Sequence, residues 1–187
     1  MVSEAPVYFC LNCFAGKEEK VRDAAEKCIE TAGAGDFQIW FPLKQNREKR
    51  NGVFEMKDRP LFPGYLFIWW DGTDETVFPF REVQSINGAI RFLRYESGSR
   101  ALMGADLAYA EWIHLNRGVI RESKVRLHEG QRLQIVEGPL KGFDGNVTKV
   151  DKHGRRIKVR FDLGGLISEI SFSVEFLESH SKKIIEV

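Results

Sequence analysis

Residues 59–70, RPLFPGYLFIWW, constrain this chain more than any other segment. From Pro60 to Trp70 no charged side chain interrupts the run, and a Pro63-Gly64 pair sits near its start. A helix that crosses a membrane needs about 20 apolar residues, roughly twice this length. The run therefore reads as a strand, and a strand with no polar face belongs in a sheet covered on both sides. Its start, Phe62 and Tyr65 around a stiff turn, admits a second reading as a docking surface for another protein.

Composition fits a folded chain. With 187 residues and 43% hydrophobic content there is room for one ordinary domain or two small ones. The first residues, MVSEAPVY, are acidic and short, unlike a basic-then-apolar signal, so the expected location is the cytoplasm, away from any membrane. Cys10, Cys13 and Cys28 are too few for a disulfide framework. On a strand Cys10 and Cys13 point to opposite faces, and the histidines are scattered, so neither a metal nor another cofactor is expected. Formal charge is −3 over residues 1–116 and +4 over residues 117–187, which suggests two units with different partners.

Periodicity orders the rest. Residues 7–16 read as a strand closed by Gly16. A helix follows, with Val21, Ala24, Ala25, Cys28 and Ile29 on one side, and Gly33 and Gly35 stop it. FQIWFPL is a second strand, and residues 44–60 form a polar hairpin arm around Asn51-Gly52. Past the opening stretch come a short helix or irregular turn in residues 74–86, the strand AIRFLRY and the helical ADLAYAEWIHLN. Residues 117–127, RGVIRESKVRL, lack a trustworthy period and read as a linker. QRLQIV, GNVTKV, RRIKVRF and LISEISFSV then form short strands between Gly-containing turns, the pattern of a small β-barrel. The expected class is α+β: a ferredoxin-like α/β sandwich over residues 1–117, a linker over 118–127 and a β-barrel over 128–187.

Two stretches carry a resemblance. RPLFPGYLFI in the first unit and EGQRLQIVEGPLKGFDGNVTKVD in the second resemble the transcription elongation factors of the NusG type. In that family an N-terminal domain (NGN) is joined by a linker to an SH3-like barrel carrying a KOW motif, and the likeness covers essentially the whole chain. Within the family, PLFPGYLF and DKHGRRIKVRF are more similar to the specialised antiterminators LoaP and RfaH. The resemblance implies a monomeric, non-enzymatic factor. Its first domain docks on the clamp helices of RNA polymerase and suppresses pausing. Its second engages nascent RNA such as a hairpin, a termination factor or a ribosomal protein. A housekeeping elongation factor and a ribosome-associated KOW protein are the alternatives.

The resemblance also implies site residues. Polymerase contact falls on Asn12, Phe62, Tyr65 and Tyr95, with Phe14 as a substitute for Asn12, where relatives carry an aromatic or His. Lys44, Arg47, Lys49 and Arg50 on the arm lie where the family meets the non-template DNA strand. In the barrel, Ile157, Val159 and Phe161 alternate with Arg156, Lys158 and Arg160, so the cations share an outer face. Lys141, Lys149, Lys152, His153 and Arg155 extend that basic edge, and Arg117, Arg121, Lys124 and Arg126 lie beside it. Pairing with Asp151, Asp162, Glu169 or Glu175 is the competing, charge-neutral arrangement. No Walker loop, His-Glu-x-x-His or nucleophile elbow is present in the sequence, and His114, between Ile113 and Leu115, reads as structural.

Overall fold

The computed structural model describes residues 6–72, 74–128 and 132–177. The chain divides into two compact units, one of Met1–Lys44, Arg59–Ile120 and Asp162–Gly165, the other of Gln45–Asp58, Arg121–Phe161 and Leu166–Val187.

The first unit is built on β1 (Val7–Cys13), β2 (Phe37–Trp40), β5 (Tyr65–Trp70) and β6 (Ala89–Phe92), in the order β2-β5-β1-β6. β1 and β5 run antiparallel, from Val7 opposite Trp70 to Asn12 opposite Tyr65. One face carries Phe9, Leu11, Cys13, Leu66, Ile68 and Trp70 against Val21, Ala25 and Ile29 of α1 (Glu18–Ala32). Phe9 is its hub, with ring centroids of Phe78, Phe80 and Trp70 at 4.7, 5.0 and 5.9 Å. Phe80 begins α2 (Phe80–Gln84), which Pro79 precedes. Across the sheet, His114 of α3 (Gly104–Leu115) packs on Trp40 and Trp69 and bonds the Tyr8 hydroxyl at 2.8 Å. Both faces are covered, as the unbroken run of residues 59–70 requires. Trp70 is buried and Trp69 half-buried.

The strand expected over AIRFLRY is shorter, ending at Phe92, and Tyr95 lies in the loop that follows. A three-stranded sheet joins β3 (Leu43–Arg50), β4 (Val53–Pro60) and β7 (Val119–Ile120), with β3 and β7 parallel through Leu43 and Lys44. The arm turns at Asn51 and Gly52, both in the left-handed region at φ of 50° and 85°, which Asn-Gly tolerates best.

In the second unit β8 (Ser123–Leu127), β9 (Leu133–Glu137), β10 (Val147–Asp151), β11 (Arg156–Leu163) and β12 (Leu166–Leu177) form one sheet, ordered β10-β11-β12-β8-β9. Val125, Ile135, Leu140, Ile157, Val159, Phe161, Ile170, Phe172 and Val174 are buried in it. Part of the segment expected as a linker, residues 118–127, is regular structure. Residues 123–127 are β8, antiparallel to β9 and parallel to β12, with Val174 opposite Ser123. The strand hides in the sequence because its first inward side chain is polar: the buried Ser123 hydroxyl accepts the Leu140 N–H at 3.0 Å.

Candidate functional site

The Phe62-Pro63-Gly64-Tyr65 segment is a β-turn closed by the Tyr65 N–H on the Phe62 carbonyl at 3.2 Å. Pro63 suits its second position and Gly64, at φ of 82°, its third. A side chain at Gly64 would meet the Cys13 carbonyl at 2.8 Å, so the turn lies hard against β1. The Gly64 carbonyl accepts from the Cys13 N–H at 2.8 Å and from Asn12 Nδ2 at 3.1 Å.

This turn delivers Tyr65 beside Asn12, and Asn12 pairs on its other side with Arg91 of β6. Arg91, Asn12 and Tyr65 thus form a row across three strands, half-buried at Asn12 and Tyr65 and exposed at Arg91. Burial raises the Tyr65 hydroxyl above the usual tyrosine value, the Cys10 thiol adds to this, and Arg91 pulls it down. Arg91 was missed from sequence; its signal is a lone cation between Ile90 and Phe92 in a short strand.

Three other expected contacts stand apart from this row. Phe62 is only 4% exposed, its ring 6.0 Å from that of Phe67, so the expectation that it meets a partner is corrected: it is core in this conformation. Tyr95 is half-buried, and its hydroxyl donates to Asp106 at 2.7 Å and accepts the Met103 N–H at 3.1 Å. Burial foremost pushes that hydroxyl up to about 12, the Met103 N–H opposes the rise, and Asp106 adds to it. Phe14, just past β1, is 59% exposed.

On β11 the expected alternation holds, with Ile157, Val159 and Phe161 inward. Lys158 faces Lys149 of β10 directly, while Glu169 reaches Lys158 at 3.8 Å. Arg156 is half-buried and donates to the Arg47 carbonyl at 3.1 Å. Lys152, His153, Arg155 and Arg160 are exposed. Lys149 and Lys152 line a groove of about 360 Å³ with Leu127 and Val150. Lys141 lines another, of about 800 Å³, with His128 and Arg132, of which sequence reasoning weighed only His128, as a metal ligand. Arg117 and Arg121 are exposed and Arg126 half-buried. Lys124 is neutralised by Glu137 at 3.0 Å, which raises its pKa.

On the arm, Arg47 is likewise engaged, by Glu122 at 2.9 Å and through its N–H by Ser173 at 2.8 Å. Lys49 is exposed, 5.9 Å from the Phe54 ring, and Lys44 is half-buried. Arg50 lies in β3, and its side chain falls outside the described residues. No group of three or more metal-ligating side chains occurs among the described residues, and none of their helices is long and apolar enough to cross a membrane.

A profile of the NusG family, described as transcription termination factor nusG, matches residues 7–104, just over half of the chain. The chain belongs to the NusG family. The NusG transcription termination/antitermination protein of Thermus thermophilus is 29% identical over 84% of this chain and 90% of its own length. The Bacillus subtilis NusG of the same description is 22% identical over 91% and 96%. A solved structure of Thermotoga maritima NusG, titled for its domain interaction, aligns with a TM-score of 0.56 at 19% identity, covering 90% of this chain and 94% of that one. It supports the fold: a mixed α+β NGN-type unit followed by a C-terminal β domain.

Proposed function

We propose that this member of the NusG family is a transcription elongation and antitermination factor of the specialised type. Its first domain, taken as residues 1–117, docks on the clamp helices of RNA polymerase, and its KOW domain, residues 128–187, holds nascent RNA. The Arg91–Asn12–Tyr65 row carries the docking reading. A half-exposed aromatic beside an amide and a guanidinium, on a stiff turn, offers an anchor whose ordering cost is already met. Phe14, on the same β1 end, adds an exposed ring. Tyr65→Ala should weaken polymerase binding by about 2 kcal/mol or more while circular dichroism stays unchanged. Undiminished binding refutes the docking.

Lys149 opposite Lys158, with Lys152, His153, Arg155 and Arg160 nearby, supports the RNA reading, because like charges held together favour a polyanion. RNA-hairpin affinity of the full chain should fall steeply with salt; a flat response counts against phosphate contact. Lys49, exposed on the arm, supports contact with the non-template DNA strand.

A second reading draws on Leu166 and Ile167, each 55% exposed at the start of β12. Such side chains suit a protein partner of the KOW domain, a termination factor or ribosomal protein, as in a housekeeping factor. Leu166→Ser with Ile167→Ser separates the two, since RNA affinity should survive it.

A further inference from the structure

Glu18 is 4% exposed at the first residue of α1, yet it meets no cation at salt-bridge distance among the described residues. Its two carboxylate oxygens go to two separate turns. Oε2 accepts the Gly16 N–H at 2.7 Å, in the turn between β1 and α1. Oε1 accepts the Gly64 N–H at 2.8 Å, in the turn that delivers Tyr65. We propose that Glu18 is a positioning residue for polymerase docking: it fixes the Gly64 backbone, and through it the relative placement of Tyr65 and Asn12.

Gly64 is held at both of its backbone polar groups. Its carbonyl is gripped by β1, at the Cys13 N–H and Asn12 Nδ2, while its N–H is gripped by α1 through Glu18. A buried N–H that loses its acceptor is costly, so without the carboxylate the Pro63–Gly64 peptide turns toward water or another acceptor. Either movement shifts Tyr65, the next residue, against its cross-strand partner Asn12. The neighbouring Glu19 makes the contrast. It is exposed in the same helical turn, where a carboxylate favours the helix dipole without reaching a second element. Glu18 instead spends both oxygens on backbone amides.

This inference rests on the docking reading, and its test separates the two. Amide hydrogen exchange of the full chain is measured in Glu18→Ala and Glu18→Gln, together with polymerase affinity below each variant's melting temperature. Glutamine keeps one acceptor oxygen and so restores one of the two bonds. Exchange at Gly16 and Gly64 should quicken in Glu18→Ala more than in Glu18→Gln, with distant amides such as Phe9 changed less. If the binding-competent turn falls to a tenth of the population, polymerase affinity falls about tenfold in Glu18→Ala, with Glu18→Gln between it and the parent. Parent-like affinity in a folded Glu18→Ala, or unaltered exchange at Gly64, overturns the proposal. Where Glu18→Ala fails to fold, parent-like affinity in Glu18→Gln with quickened Gly64 exchange does the same. Tyr65→Ala is the control. Loss there with none in Glu18→Ala defeats only the positioning role, whereas normal binding by Tyr65→Ala defeats the docking reading itself.

Discussion

Lys149 and Lys158 stand directly opposite each other in the β10–β11 ladder, two cations on neighbouring strands, with the Glu169 carboxylate 3.8 Å from Lys158. Like charges so placed cost the fold a few tenths of a kcal/mol, up to about 1. Lys149→Glu should therefore raise the stability of the β domain by about 0.5 kcal/mol. The same change should weaken RNA-hairpin binding and flatten its salt slope. Urea midpoints and titrations at two salt concentrations test the pair of opposite signs. A variant that gains stability and keeps its RNA affinity assigns the cations no part in binding.

Gly64→Ala and Gly33→Ala both place a side chain in the left-handed region, at φ of 82° and 63°. Only at Gly64 does the new carbon also meet backbone, the Cys13 carbonyl at 2.8 Å. Gly33→Ala should cost about 1 kcal/mol, the conformational part alone, and Gly64→Ala at least about 2. Thermal melts of the two variants compare them, and equal costs would mean that the turn gives way freely.

Phe9→Ala should be among the most damaging single changes, at about 3–5 kcal/mol. Its ring touches the cluster of Trp70, Phe78, Phe80 and Phe92, and it is fully buried. A loss below 1 kcal/mol in chemical denaturation would indicate that the neighbours collapse into the vacancy.

Burial lowers the His114 pKa below its ordinary value, so the folded state favours the neutral ring that meets the Tyr8 hydroxyl. The unfolded chain then takes up the proton first. The stabilising contribution is complete above the ordinary histidine range near 6.5 and shrinks as pH falls through the window below it. A His114→Gln variant should show a shallower fall in urea midpoint between about pH 7 and 5 than the parent. Parallel curves would assign the acid sensitivity to other groups.

The first unit was largely legible because its signals are local. The spacing of Val21, Ala25 and Ile29 announces α1, and the unbroken apolar run announces a strand covered twice. Alternation in β11 is equally plain, with Ile157, Val159 and Phe161 on one side. What escaped is decided across the chain. β8 depends on β12 and carries a buried serine, so no local window reveals it. Phe62 and Tyr65 flank the same Pro-Gly pair, and only the packing of Phe62 near Phe67 tells the core residue from the half-exposed one. Arg47 and Lys124 look like available cations until Glu122 and Glu137 are found beside them.

The parallel pairing of β8 with β12 also bears on how the protein is made. A chain emerging from the ribosome presents Ser123–Leu127 well before Leu166–Leu177 exists, and until then β8 has only β9 beside it. Closure of this distant contact therefore awaits synthesis of β12, while the sheet of the first unit, whose four strands all precede residue 93, is free to form on the growing chain.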